Sequence, residues 1–333
     1  MKSKLITLKL GIKKNKTDGL LICLFKASTT ALIFTLNKFA AAPVIISKQN
    51  IIKSNPKYIF INSGNANACT GKEGLTNTKR ILNLLAKRLK CNSNEIIIMS
   101  TGIIGRQLPI DDIEASIIKN TFNKYSSLKD AACSVMTTDN HPKYLSKEYK
   151  IGSKKVIFSG LCKGAGMIEP NMATMLAFIE TNVSINKSNL KKYLNYCANL
   201  SFNAISVDGD MSTNDCVAFT STNLINIDLK NKKNEKKLLE YAADFFIQLS
   251  SKIIKDGEGA TKIIKLNICN AKTKTLAQEI SRKISNSLLV KTAMYGEDPN
   301  WGRIIASLGS INKNAFNVVK VKLFINKILC FDN

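Results

Sequence analysis

The chain has 333 residues, of which 45% are hydrophobic and 22% are charged, and its mean hydropathy is close to zero. A chain of this size can bury a large core and folds as one large domain or about two ordinary ones. No apolar run is long enough for a transmembrane helix, which excludes a membrane span. The nine cysteines are scattered without a C-x-x-C pair, which disfavours a disulfide framework or a zinc site and favours a reducing cytoplasm.

The single histidine, His141, restricts the catalytic machinery further. A multi-histidine metal site is impossible, and a Ser-His-Asp or Cys-His mechanism would depend on this one residue. His141 precedes a proline in a polar stretch, which is typical of a loop. We therefore expect no metal site, and we expect any enzymatic base to be a different group.

The formal net charge of +25 is typical of nucleic-acid-binding proteins, but the type of basic residue argues against that interpretation. Only five of the 49 basic residues are arginine, which makes the bidentate contacts with bases. Lys, Asn and Ile are what AT-rich codons supply, so a compositional drift explains the charge. We expect no nucleic-acid or membrane partner. The basic N-terminus lacks the features of a signal or transit peptide, so we expect a cytoplasmic protein.

Apolar runs predict the first elements of the chain. Four runs with short polar breaks predict successive strands: LLICLF (20–25), ALIFTL (31–36), APVIIS (42–47) and YIFIN (58–62). Helical spacing of leucine and isoleucine predicts a helix over 73–90. EIIIMS (95–100) predicts a buried strand that stops at Thr101-Gly102. Pro109 and the acidic residues after it predict a helix over 108–120.

The second half of the chain continues to alternate between strands and helices. Apolar runs predict strands over 154–160, 175–185 and 318–331. Helical spacing predicts helices over 188–200 and 234–254, and the charge run at 230–237 predicts a solvated turn. Strands with long intervening helices favour an α/β layered fold over an all-β sandwich.

Five segments are rich in glycine, asparagine and other small polar residues, yet they lie between strongly apolar runs. They are NSGNANACTG (62–71), STGIIGRQLP (100–109), GLCKGAGMIEPNMATMLAF (160–178), NAISVDGDMSTNDC (203–216) and YGEDPNWGRI (295–304). Glycine permits positive φ and close backbone approach, so such segments can direct backbone amides at a ligand. Each segment alone is typical of a turn, and none of them names a reaction.

Thr174 lies where the glycine-rich loop of 160–178 changes into an apolar strand. A threonine hydroxyl is a weak nucleophile without an activating base. Cleavage of the Ala173–Thr174 bond would supply one, because the freed α-amine titrates at about 7.7–8.0, near neutral pH. A threonine at the start of a strand is, however, usually structural.

A set of motifs resembles the ornithine acetyltransferase family, arginine biosynthesis protein J. ATMLAF together with KGAGMIEPNM is similar to the cleavage-site signature of that family. Seven further blocks are similar to family blocks and occur in the same order: FTLNKFAAAPV, NSGNANACTG, STGIIGRQLP, MTTD, NAISVDGDMSTND, DGEGATK and YGEDPNWGRI. They span residues 11–310, so the resemblance covers most of the chain.

The resemblance implies an N-terminal-nucleophile-like α/β/β/α sandwich that cleaves itself into two chains, 1–173 and 174–333, which pair into an α2β2 assembly. It implies ping-pong transfer of acetyl from N-acetylornithine to glutamate through Thr174. No cofactor is implied, although some members accept acetyl-CoA as a donor. Thr101 and Gly102 match the oxyanion donors. Asn140, Lys163 and Glu258 match substrate-binding positions, together with Thr174.

The match departs from the family in three places. Asn140 stands where the family usually has threonine, and an amide can still donate and accept a hydrogen bond. The N-terminal segment is short. The chain ends at LCFDN, where family members continue for several dozen residues that supply an Asn and a Thr of the substrate site. We expect that difference to put turnover in doubt.

Two other classes of function remain as hypotheses. An N-terminal-nucleophile amidase or aminopeptidase would hydrolyse the same acyl-enzyme if water replaced glutamate. A folded non-catalytic remnant, or a basic binding module, would form no acyl-enzyme and would bind nucleic acid in a salt-sensitive way.

Overall fold

A computed structural model describes residues 1–169, 175–311 and 316–332. Backbone contacts divide the chain into two compact units, Met1–Glu258 and Gly259–Asn333. None of the helices described in these ranges is long and apolar enough to cross a membrane.

The larger unit alternates strands and helices along the chain. In order, its elements are β1 (Lys4–Leu8), β2 (Gly19–Cys23), β3 (Thr29–Phe34), α1 (Ala42–Lys53), β4 (Tyr58–Asn65), α2 (Gly71–Leu89), β5 (Ile96–Ile103), α3 (Ile110–Lys119), α4 (Leu128–Ser134), β6 (Lys143–Ile151), β7 (Lys154–Lys163), β8 (Leu176–Val183), α5 (Lys187–Leu200), β9 (Cys216–Ile225) and α6 (Lys232–Lys255).

These strands form two sheets. The first has the order β1-β2-β4-β5, and the second has the order β3-β9-β8-β7-β6. In the first sheet only β4 and β5 are parallel, and in the second only β8 and β9. A parallel pair needs a crossover connection, and the helices α2 and α5 provide it.

The two sheets pack face to face, and helices cover their outer faces. In β5, Ile97 and Met99 point into the core layer between the sheets, where Leu161 and Phe178 of the second sheet meet them. The alternate residues of β5 pack with α1, α2 and α3. The outer face of the second sheet packs against α5 and α6. The layer order is therefore helix, sheet, sheet, helix, and the predicted α/β/β/α architecture is confirmed.

The predicted strand over 42–47 is wrong, because this segment begins helix α1. Pro43 occupies the first turn, where its missing N–H costs nothing. Two buried polar side chains then tie the helix to β5: Ser47 Oγ donates to the carbonyl of Ile98 at 2.7 Å, and Asn50 Nδ2 donates to the carbonyl of Ile96 at 2.9 Å. The apolar run is buried, as expected, but on a helix face.

Two boundaries also differ from the prediction. Strand β5 does not stop at Thr101-Gly102 but continues to Ile103, because β4 continues beside it through a bulge at Asn65. The charge run at 230–237 is not a turn, because residues 232–237 form the first part of α6, whose amino terminus is capped by the side chain of Asn231.

The smaller unit has its own apolar core. Its elements are α7 (Lys274–Ser285), α8 (Leu288–Tyr295), α9 (Trp301–Gly309), β10 (Lys322–Ile325) and β11 (Ile328–Asp332). The helices contribute Ile280, Val290 and Ile304 to the core. The two strands pair in antiparallel fashion, which confirms the predicted strands at the end of the chain.

Candidate active site

One edge of the second sheet collects several residues that the sequence singled out. Lys163 ends β7 and pairs with Leu176 at the start of β8, which in turn lies opposite Cys216 at the start of β9. Lys143, at the start of β6, lies opposite Cys162. The glycine-rich segments 160–178 and 203–216 therefore meet at this edge.

The carboxyl ends of β4 and β5 form the corresponding edge of the first sheet. Gly102 adopts a φ of 134°, and a Cβ atom added there would lie 2.2 Å from the carbonyl carbon of Gly64. Only glycine permits this close approach of two backbones. Thr101, beside it, is buried. This rigid geometry suits the oxyanion role that the resemblance implies for both residues, which stays a prediction.

Neutral polar side chains brace this edge. Ser100 Oγ donates to Asn62 Oδ1 at 2.5 Å, and Asn214 Nδ2 donates to the carbonyls of Ala66 and Ser100 at 2.6 and 2.8 Å. Buried polar side chains that are hydrogen-bonded in this way fix the backbone around them. The segments 62–71, 100–109 and 203–216 are thus joined into one network.

Lys163 connects the edges of the two sheets. Its side chain is buried, and Nζ donates to Thr101 Oγ1 at 3.0 Å. Because an ammonium can only donate, the hydrogen of the Thr101 hydroxyl remains available for another acceptor. Burial lowers the pKa of Lys163 below its ordinary value, and the carboxylates of Asp139 and Asp215 oppose this shift.

Asp139 is the buried counter-charge of Lys163. Its Oδ1 accepts from the backbone N–H of Gly164 at 2.8 Å, and its Oδ2 accepts from the N–H of Thr137 at 2.9 Å. Burial by itself would raise the pKa of Asp139, but the positive charges of Lys163 and Lys143 outweigh it and hold the pKa at about 2. Asp139 is therefore ionised at neutral pH.

Glu258 and Asn140 lie at the same site. The N–H of Glu258 donates to the carbonyl of Ala165 at 2.9 Å, and a Cβ atom on Gly166 would lie 2.8 Å from the Glu258 carboxyl group. The N–H of Asn140 donates to Asp256 Oδ2 at 3.0 Å. Both side chains are exposed, so they are accessible to a ligand. The structure therefore brings together Thr101, Gly102, Lys163, Asn140 and Glu258, while their roles stay predictions.

The loop that precedes the predicted cleavage site is held by one carboxylate. Asp208 accepts from the N–H groups of Met167 and Ile168 at 2.6 and 2.9 Å. The N–H of Val207 donates to the carbonyl of Ile168 at 2.9 Å, which adds a backbone contact beside these two. Ala173 and Thr174 lie outside the described residues.

Asp215 directly precedes β9 and lies next to Met175, the first described residue after Thr174. It is completely buried, and its Oδ1 accepts from the N–H of Met175 at 2.8 Å. Its Oδ2 has no hydrogen-bond partner among the described residues. Burial raises the pKa of Asp215 well above its ordinary value, although the Met175 N–H and the charge of Lys163 oppose the shift.

The single histidine lies in a loop of the part of the chain that the structure describes. His141 lies outside the helices and strands, as predicted, and its N–H donates to Asp256 Oδ2 at 3.2 Å. No group of three or more His, Cys, Asp or Glu residues within the described ranges has a metal-binding arrangement.

Comparison with known proteins assigns the family. The ArgJ family model matches residues 4–333. This chain belongs to the ArgJ family. It is 44% identical over 308 residues to the mitochondrial arginine biosynthesis bifunctional protein ArgJ of Dictyostelium discoideum, covering 90% of this chain and 69% of that protein. It is 40% identical over 326 residues to the arginine biosynthesis bifunctional protein ArgJ of Caldanaerobacter subterraneus, covering 95% of this chain and 79% of that protein.

A solved ArgJ structure is also similar. The crystal structure of arginine biosynthesis bifunctional protein ArgJ from Bacillus halodurans aligns with a TM-score of 0.45 at 30% identity, over 51% of this chain and 91% of that one.

The site of this ArgJ chain combines two kinds of group that amino-acid acyl transfer requires. A rigid backbone at Thr101 and Gly102 can face a developing negative charge. A buried cation at Lys163 and an exposed carboxylate at Glu258 can bind a molecule that carries charges of both signs. Sequence reasoning missed Asp139, Lys143, Asp208 and Asp215 as parts of this site. Asp139, Asp208 and Asp215 all lie inside the blocks MTTD and NAISVDGDMSTND, which was the available signal.

Proposed function

We propose that this ArgJ chain is a glutamate N-acetyltransferase of arginine biosynthesis that moves acetyl from N-acetylornithine to glutamate. The observation that carries the proposal is the contact of buried Lys163 with Thr101, in the same cluster as the Glu258 carboxylate. A cation for a substrate carboxylate thereby lies beside the proposed oxyanion donor Thr101, and an anion for a substrate ammonium faces that cation.

The enzyme first activates itself by cleaving its own chain. The Thr174 hydroxyl attacks the Ala173 carbonyl carbon, the C–N bond breaks, and the Thr174 nitrogen takes up a proton. Water then hydrolyses the resulting ester and releases the carboxylate of Ala173. The products are the chains 1–173 and 174–333, and the free α-amine of Thr174 becomes the catalytic base.

Acetyl transfer then follows in two steps. The Thr174 amine takes the hydroxyl proton as Oγ attacks the acetyl carbonyl of N-acetylornithine, and Thr101 and Gly102 stabilise the oxyanion. The C–N bond breaks, ornithine leaves with the proton, and an acetyl ester remains on Thr174. The amine of glutamate attacks this ester, which yields N-acetylglutamate and restores the hydroxyl.

Substrate recognition uses Lys163, at the end of β7, together with polar residues of the neighbouring loops. Lys163 binds the α-carboxylate that both substrates share. Glu258 binds the side-chain ammonium of ornithine, and Asn140 supplies a hydrogen bond in place of the family's usual threonine. The two cleaved chains remain together and assemble as α2β2 in the cytoplasm. The enzyme needs no cofactor, and acetyl-CoA is an alternative acetyl donor.

Product analysis tests the proposal. The purified protein is incubated with N-acetylornithine and glutamate, and the products are separated. Equal amounts of ornithine and N-acetylglutamate are expected. Free acetate without N-acetylglutamate would instead identify a hydrolase. An absence of both, with salt-sensitive retention on nucleic acid, would identify a binding protein.

A further inference from the structure

A buried ion-pair network lies behind the residues that bind substrate in the proposed function. The side chain of Lys143 is only 2% exposed, and its Nζ lies 2.6 Å from Asp139 Oδ1 and 2.5 Å from Asp256 Oδ2. Neither the family resemblance nor the sequence pattern assigned a role to Lys143. Three charged groups placed this deep require a specific reason, because desolvation makes buried ion pairs poor sources of stability.

Each carboxylate of this network also holds backbone from a different segment of the site. Asp256 Oδ2 accepts from the N–H groups of Asn140 and His141. Asp139 Oδ1 accepts from the N–H of Gly164, the residue after Lys163. Asp256 itself lies two positions before Glu258 in the chain.

The ammonium of Lys143 therefore joins three segments that are distant in the sequence. We propose that Lys143, through Asp139 and Asp256, is a positioning residue that holds Asn140, Lys163 and Glu258 in the arrangement that binds the amino-acid substrate. The inference rests on the proposed function. Lys143 touches no substrate in this scheme, and it acts through the backbone that it fixes.

The network also sets the charge environment of Lys163. Four groups besides Lys143 face Lys163: the carboxyl groups of Asp139, Asp215 and Glu258, and the ammonium of Lys13. Asp139 raises the pKa of Lys163, and Lys143 lowers it. Removal of either partner therefore changes the pKa of Lys163 in a known direction.

These opposite effects separate a positioning role from simple loss of folding. Lys163 must be protonated to bind a carboxylate, so its deprotonation produces an alkaline limb in the pH profile of kcat/KM. Asp139→Asn removes a negative charge and moves this limb to lower pH. Lys143→Met removes a positive charge and moves it to higher pH. A general loss of folding would not shift the limb in opposite directions.

The test measures kcat/KM for N-acetylornithine, its pH profile, and the affinity for ornithine by calorimetry in the full-length protein. Asp139→Asn and Lys143→Met are each expected to lower kcat/KM by about 10- to 100-fold. The loss comes mainly from a higher KM, because displaced binding groups no longer align with the substrate. Lys147→Met and Asp244→Asn are the matched controls. They disrupt an ion pair made from the same strand, β6, and leave kcat/KM unchanged.

Asp256→Asn provides a variant that keeps an acceptor oxygen for the backbone N–H groups if Lys143→Met does not fold. It is expected to raise KM in the same way. Unchanged KM values, or pH limbs that do not move apart, would overturn the inference while wild-type transfer still supports the proposed function. A wild-type protein that neither binds ornithine nor transfers acetyl would contradict both.

Discussion

The two sheets of the larger unit present different chemistry at neighbouring edges. The edge of the first sheet is braced by neutral amides and hydroxyls, including Asn62, Ser100 and Asn214, around a close contact of glycine backbones. The edge of the second sheet is charged, with Lys143 and Lys163 among buried carboxylates. The contact of Lys163 with Thr101 is where the two meet.

From this difference we infer separate roles for the two edges, catalysis at the first sheet and substrate binding at the second. A neutral network fixes backbone N–H groups without adding a field of its own, which suits an oxyanion site. At the edge of the second sheet the charges are buried, so they interact strongly with each other and with a charged ligand. This suits recognition of an amino acid. Changes at the first edge should therefore affect the chemistry, and changes at the second should affect binding and pH dependence.

The largest effect is expected for Gly102→Ala at the neutral edge. The added methyl group would lie 2.2 Å from the Gly64 carbonyl carbon, so the backbone that forms the oxyanion site must move. We expect loss of self-cleavage by intact mass, and a loss of at least about 3 kcal/mol in the free energy of unfolding. Gly152→Ala is the control, since it has a positive φ but no atom within 4 Å. Normal cleavage in Gly102→Ala would refute the assignment of the oxyanion site.

The next effect is expected for Lys163→Met at the charged edge. Loss of a buried, hydrogen-bonded charge should lower kcat/KM for N-acetylornithine about 100-fold, while cleavage of the chain still reaches completion. Steady-state kinetics and intact mass measure the two effects separately. Lys147→Met, on the neighbouring strand β6, should behave as wild type. Equal losses of cleavage and binding in Lys163→Met would remove the distinction between the edges.

Acid stability tests the charged edge without substrate. The pKa of Asp139 is lowered from its usual 3.8 to about 2, so its ionisation stabilises the fold fully above about pH 4 and stops doing so below about pH 2. This contribution is about 2 kcal/mol. Urea unfolding at about pH 6 and about pH 2 should show wild type losing that much more stability than Asp139→Asn. Equal losses of stability in wild type and Asp139→Asn would mean that Asp139 does not carry a stabilising negative charge in the folded protein.

The smallest effect is expected for Asp208→Ala, which removes the acceptor for the N–H groups of Met167 and Ile168. A less ordered loop before the cleavage site should slow self-cleavage about 10-fold, with kcat of the fully cleaved enzyme near wild type. A time course of intact mass measures this change. Asp210→Ala, which removes another exposed carboxylate of the same loop, is the control. Cleavage at the wild-type rate in Asp208→Ala would limit the role of this contact to stability.

Local sequence predicted most strands and helices of the larger unit, but it missed β1, α4, β6 and β9. It also gave the wrong element over 42–47, where a short apolar run fits both a strand and a helix. APVIIS is equally compatible with a buried strand and a buried helix. Pro43 at its start, together with Ser47 and Asn50 bonded to the backbone of β5, decides for the helix. Those bonds join residues about 50 positions apart, so no local pattern contains them.

The residues of the candidate site were also predictable only where the local sequence carries the signal. Motif similarity pointed to Lys163 and Glu258, which lie in recognisable blocks, and to Asn140, which directly follows MTTD; their roles stay predictions. Lys143 was missed because it begins a strand that contains three lysines and a glutamate, a composition typical of a solvated surface. Its burial depends on Asp256, more than a hundred residues further along the chain. Only the three-dimensional fold shows that pairing.

Self-cleavage and acetyl transfer through Thr174 are tested most directly by intact mass spectrometry. The wild-type protein is measured after incubation with N-acetylornithine alone. We expect two chains, 1–173 and 174–333, with one acetyl group added to the second chain only and removed again by glutamate. A Thr174→Ala variant should remain uncut and unacetylated. A wild-type protein that stays a single, unmodified chain would rule out acetyl transfer through Thr174, because Thr174 would then never acquire the free amine on which every later step depends.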